Sequence, residues 1–130
     1  MKLPASVVLA VVLSTVTIPV SAHHSFVSFW DMNKTITITG VVKSVRLVNP
    51  HANMVVEVTE PNGQKSEWSI TSRGSVSTLR RQGWKEDTVT AGMKVMVEGN
   101  PSRNPGAKGL AAGNVTKPDG SVVSFGALPE

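Results

Sequence analysis

The stretch "TITITGVVKSVRLVNPHANMVVEV", Thr35 to Val58, decides the fold. Its first part, Thr35 to Val48, is rich in β-branched residues alternating with polar ones, as in a long strand with one buried face. The parity of that alternation changes partway. Ile36 and Ile38 point one way, whereas Val41, Val45 and Leu47 fall on the opposite parity. Gly40 stands at the change, where a bulge or bend would let one strand serve two sheet faces. Beyond Asn49-Pro50-His51 a second run puts Ala52, Met54, Val56 and Val58 on one face, with His51, Asn53 and Glu57 on the other. Pro61-Asn62-Gly63 is a turn signal. The chain then returns through "QKSEWSI", Gln64 to Ile70, with Trp68 and Ile70 inward, completing a hairpin.

The texture changes next. In "SVSTLRRQGW" Ser75 is placed as an N-cap, Val76 and Leu79 stand three apart, and Gly83 is a helix stop. "AGMKVMVEG" reads as a strand entered through Gly92 and left through Gly99, and "NPSRNPGAKG" as a loop. "LAAGNVTKPDGSVVSFG" gives two short strands around Pro118-Asp119-Gly120. The expected fold is therefore mainly β: a small five- to six-stranded OB-type barrel with one short helix between strands 3 and 4. A small sandwich is the rival. In an OB barrel the loops after strands 1 and 4 flank the ligand face. Those are Asn49-Pro50-His51 and Pro101 to Ala107, so His51 is expected at the rim of that face.

The start of the chain has another character. Lys2 is followed by "LPASVVLAVVLSTVTIPV", Leu3 to Val20, without a charge, and then by Val20-Ser21-Ala22. A short basic start, an apolar centre and a small-residue exit describe a secretory signal peptide, residues 1–22, cut after Ala22. An uncleaved membrane anchor is the alternative, since the run touches the lower bound for a span. Cleavage leaves residues 23–130 as a single domain, with no membrane span, in the periplasm or secreted. The absence of cysteine agrees, because a domain of this size can dispense with disulfides. Losing Lys2 lowers the formal net charge from +4 to +3, with the charges interspersed. So mild a balance, in an exported chain, argues against a nucleic-acid partner.

Catalytic constellations are scarce. The chain has no cysteine or tyrosine, and its nine carboxylates form no paired motif for acid–base work. Neither a phosphate-cradling glycine loop nor an H-E-x-x-H zinc spacing occurs. The chain reads as a binding protein rather than an enzyme, with redox chemistry at its histidines as the enzymatic alternative. Its three histidines fall in two places, His23-His24 and His51. Cleavage after Ala22 would make His23 the first residue, so that its free α-amine and imidazole chelate one ion together. His24 adds an imidazole, and His51 could add another from the rim. A cut after Ser21 would instead make His24 the third residue, which also chelates through backbone nitrogens. So nitrogen-rich a set favours copper, with nickel and zinc behind. The plainer alternative is a solvated chain end and a histidine that caps a turn.

Phe26, Phe29 and Trp30 are expected to pin the N-terminal segment to the core, with a stacking platform as the alternative. Asp31 and Asn33 read as turn residues, Trp84 as a cover over the barrel end, and Arg80-Arg81 as a solvated helix face. A metal-free reading has the barrel grip a peptide, glycan or envelope component through Phe29, Trp30 and Asn53.

The segments "AHHSF", "GVVKSVRLVNPHANMVVEV", "LRRQGW" and "AGMKVMVEG" resemble a family of small exported bacterial proteins classed only as a domain of unknown function. The resemblance covers nearly the whole of residues 23–130 and implies an OB-like fold. Relatives usually carry an aromatic or aliphatic residue where Asn53 stands. His23, His24 and His51 match the family's histidine-bearing motifs, which implies a shared role without naming it.

Overall fold

The computed structural model describes residues 26–126; His23 and His24 lie outside them. A helical turn α1 (Phe26–Phe29) precedes β1 (Ile36–Arg46), β2 (Asn53–Thr59) and β3 (Lys65–Ser72). Helix α2 (Val76–Arg81) follows, then β4 (Lys94–Pro101), β5 (Gly109–Thr116) and β6 (Val122–Ser124). The strands hydrogen-bond in the order β3-β2-β1-β4-β5-β6, and β3 also pairs with β5. That last pairing is parallel, Ser69–Ser72 against Gly109–Ala112, and closes a five-stranded barrel with β6 as an extra strand. The expected OB-type barrel and the helix between strands 3 and 4 are both present. The turn α1 is a second short helix that the sequence reading did not anticipate.

β1 serves two partners in succession. Ile36–Val41 pairs with β4, and Val41–Arg46 with β2. The change of face was expected at Gly40, but it occurs later. Ile38, Gly40 and Val42 are all buried while Val41 is exposed, so parity holds through Gly40. The bulge lies between Val42 and Ser44, where Lys43 is the extra residue. Gly40 has a different task. A Cβ there would stand 2.2 Å from the Glu57 carbonyl oxygen, so the backbone of β1 can cross that of β2 only without a side chain.

β4 also runs further than its composition suggests. Asn100 and Pro101 continue the ladder against Ala111 and Leu110 after a bulge between Glu98 and Gly99. Proline is tolerated at a strand end, where its missing N–H leaves no gap, and the Pro101 carbonyl accepts from the Asp31 N–H at 2.9 Å.

The core fills the barrel with Ile38, Val42, Met54, Val56, Ile70, Val95, Val97, Leu110 and Val115. Trp68 packs against it only partly buried, whereas Ile70 is wholly buried. Ser75 caps α2 by accepting from the Thr78 N–H, and Gly83 ends the helix at φ 93°. The Pro-Asn-Gly and Pro-Asp-Gly turns place Gly63 and Gly120 at φ 82° and 83°. Arg80 is exposed and pairs with Glu86 at 2.8 Å, an exposed contact worth little to stability.

Glu60, just after β2, accepts from Lys108 Nζ at 2.7 Å and from Ser66 Oγ at 2.5 Å. The Lys108 ammonium, foremost, and the Ser66 hydroxyl hold its carboxyl below the usual carboxylate range. A lowered value means that the carboxylate stabilises the fold above its unfolded pKa. That contribution is lost as pH falls through the folded value. Lys108→Ala is therefore expected to move the Glu60 midpoint upward in a carboxyl-carbon NMR titration; an unmoved midpoint would show that the ion pair is not formed.

Candidate functional site

The loop between β1 and β2 and the loop between β4 and β5 end on the same side of the barrel as α1. Asn49-Pro50 is a cis peptide, and Asn49 Oδ1 accepts from the Val76 N–H at 3.3 Å, tying this corner to the start of α2. Ala52 donates its N–H to Ser72 Oγ at 2.9 Å and accepts from the Ser72 N–H at 3.0 Å. His51 is thus held between two anchored neighbours.

From the other side, the segment from Phe26 to Lys34 straps across the β4–β5 connection. Trp30 forms an isolated bridge with Ser102. The Arg103 N–H donates to the Phe29 carbonyl at 2.9 Å, and Arg103 Nε to the Val27 carbonyl at 2.6 Å. Those carbonyls end a one-turn helix and would otherwise need water. Asp31 accepts from the Asn33 N–H, forming the expected turn. Beneath the strap, buried Asn100 donates to the Lys34 carbonyl and accepts from Arg73. The segment is pinned to the barrel, but by these backbone and Arg103 hydrogen bonds rather than, as expected, by its aromatics. No residue of α1 is buried, and Phe26, Phe29 and Trp30 stand outside the core cluster.

Between strap and corner lies a cleft of about 320 Å³ lined by Phe26, Phe29, Trp30, Pro50, His51 and Thr71. The Phe26 ring centroid is 6.1 Å from that of Trp30 and 6.1 Å from that of His51, with both pairs tilted. His51 is partly buried, and its Nδ1 is enclosed without a hydrogen-bond partner among the described residues. Phe29 is 57% exposed. Among the described residues, no three His, Cys, Asp or Glu side chains gather into a metal-binding group, and no helix is long and apolar enough to cross a membrane.

Residues 10–112 match a family of unknown function, DUF6152. The chain belongs to that family. No curated protein matches it. Among solved structures, the crystal structure of the mitochondrial single-stranded DNA-binding protein Rim1 from S. cerevisiae is similar. It is 18% identical, with 65% of this chain and 94% of that chain covered at a TM-score of 0.49. In this family member the outward face of β2 and β3 sets Asn53, Val55 and Glu57 opposite Thr71, Ser69 and Glu67.

The sequence-derived candidates divide. Phe29, Trp30 and His51 line one cleft, and Phe26 joins them. Asn53 does not line it: its Nδ2 donates to Ser69 Oγ at 2.9 Å and to the Ile70 carbonyl at 3.2 Å, which occupies it within the sheet. Pro50 and Thr71 were not singled out in advance. Pro50 was visible beside His51, but Thr71 had no distinguishing signal, because its place in the cleft depends on its pairing with Asn53 across the hairpin.

Proposed function

We propose that this protein is an exported binding protein that holds a transition metal, copper first, through His23, His24 and His51. The observation that carries this reading is the contact between Phe26 and His51, whose ring centroids are 6.1 Å apart. His24 stands two residues before Phe26, and successive Cα atoms are about 3.8 Å apart. The covalent chain therefore allows the His24 and His51 imidazoles to reach one ion. If export cuts the chain after Ala22, His23 contributes its amine as well as its ring, and neutral nitrogen donors suit Cu(II) above Ni(II) or Zn(II). Phe26, held against both His51 and Trp30, would shield one side of such a site from water.

The test begins with mass spectrometry of the exported protein, which should start at His23. Titration of that protein with Cu(II) should show one equivalent bound with a submicromolar Kd. His51→Ala should weaken this by about tenfold or more, since even residues that merely orient a metal ligand are worth about 10–100-fold. Affinity and stoichiometry untouched at either histidine locus would overturn the reading. They would favour a metal-free envelope-binding module, which the exposure of Phe29 and the placing of Trp30 also support.

A further inference from the structure

The cleft beneath the strap has a chemistry of its own that does not depend on a metal. None of its six lining residues carries a permanent charge. Its volume, about 320 Å³, lies near the lower end of small-molecule clefts, about 300–1,000 Å³. The rings on its walls are inclined, Phe26 to Trp30 by 41° and Phe26 to His51 by 49°. Walls set this way take a further ring edge-to-face or offset, the arrangements that aromatic pairs prefer. Thr71 and His51 bring the polar groups, so a guest needs one small polar substituent and otherwise apolar surface. A carboxylate guest would lose its hydration without a cation among the lining residues to replace it. An extended peptide fits poorly, because both edges of β3 beside Thr71 are already paired, with β2 and β5, leaving no free edge for strand addition.

We propose that this cleft binds a small neutral aromatic molecule of one or two rings bearing a hydroxyl or carbonyl group. Its ring sits against Phe29, Phe26 and Trp30, and its polar group faces Thr71 and His51.

The test uses the full chain, stripped of metal by a chelator, so that it succeeds or fails independently of copper binding. p-Cresol is the probe, followed by proton–nitrogen NMR of the three indole N–H groups. The expected result is a saturable shift of the Trp30 indole resonance, with those of Trp68 and Trp84 unmoved. Phe29→Ala is expected to weaken binding about fivefold or more. Because Phe29 is mostly exposed, that variant keeps its fold, and an unchanged spectrum elsewhere checks this. 4-Methylbenzoate is expected to bind about tenfold or more weakly than p-cresol, and cyclohexanol also more weakly. A uniform shift of all three indoles, undiminished affinity in Phe29→Ala, or equal binding of the carboxylate or the non-aromatic alcohol would each overturn the proposal.

Discussion

Gly99→Ala is expected to cost about 3 kcal/mol or more, enough to leave much of the protein unfolded. A Cβ on Gly99 would stand 2.1 Å from the Ala111 carbonyl oxygen and 2.8 Å from both the Ala111 carbonyl carbon and the Ala112 Cα. Ordinary van der Waals contact begins at 3.4 Å. All three atoms are backbone, so no rotamer change relieves the clash. Gly99 is also paired on both sides, with Ile36 of β1 and Ala112 of β5. Shifting the strand to fit one methyl group therefore strains two ladders at once. Gly113 is the control. It lies on β5, and the nearest atom to its Cβ position is the Glu98 carbonyl oxygen at 3.8 Å. Gly113→Ala should stay within about 0.5 kcal/mol of the parent. Urea unfolding followed by circular dichroism distinguishes the two, and equal midpoints would show that the β4–β5 crossing is looser than described.

Trp84→Ala should cost about 3–5 kcal/mol, the range for truncating a buried aromatic side chain. Trp84 follows α2, is 2% exposed, and packs its ring 4.9 Å from that of Phe125 at a tilt of 47°. Its Nε1–H donates to the Ser124 carbonyl, joining the helix to the end of β6. The alanine variant opens a cavity at one end of the barrel and loosens both elements. Trp84→Phe keeps most of the apolar burial and loses the donor, so about 1–2 kcal/mol is expected. The same unfolding measurement ranks them. A phenylalanine variant as unstable as the alanine one would mean that the hydrogen bond, not the packing, closes this end.

Much of the barrel was legible because its signals are local. Alternation in Thr35–Val58 marked two strands, and Gly63 and Gly120 marked two hairpins that form at the expected turns. Ser75 and Gly83 delimited the helix region for the same reason: caps and stops act through adjacent backbone groups. What misled was non-local. Gly40 looked like the point where β1 changes face, yet what sets its identity is the approach of Glu57 from another strand. The bulge at Lys43 follows from register with β2, which no property of Lys43 announces. Asn100 and Pro101 have the composition of a loop, but tertiary pairing draws them into β4.

The candidate site was legible in part. His51 reached the rim because loop order in a barrel of this type fixes that corner, and Phe29 and Trp30 stood out as aromatics ahead of the first strand. Asn53 stands apart from the cleft, since its side chain turns to Ser69 and Ile70, partners supplied by the neighbouring strand. The turn α1 was missed. Four residues carry no helical periodicity, and its carbonyls are met by Arg103, more than seventy residues away.

The central claim is that one ion gathers imidazoles from both histidine loci. Pulsed electron paramagnetic resonance of the processed protein loaded with one equivalent of Cu(II) tests it most directly, because the remote ring nitrogens report how many imidazoles are bound. Three coordinated imidazoles are expected in the parent and two in His51→Ala. The same number in both proteins would contradict the claim.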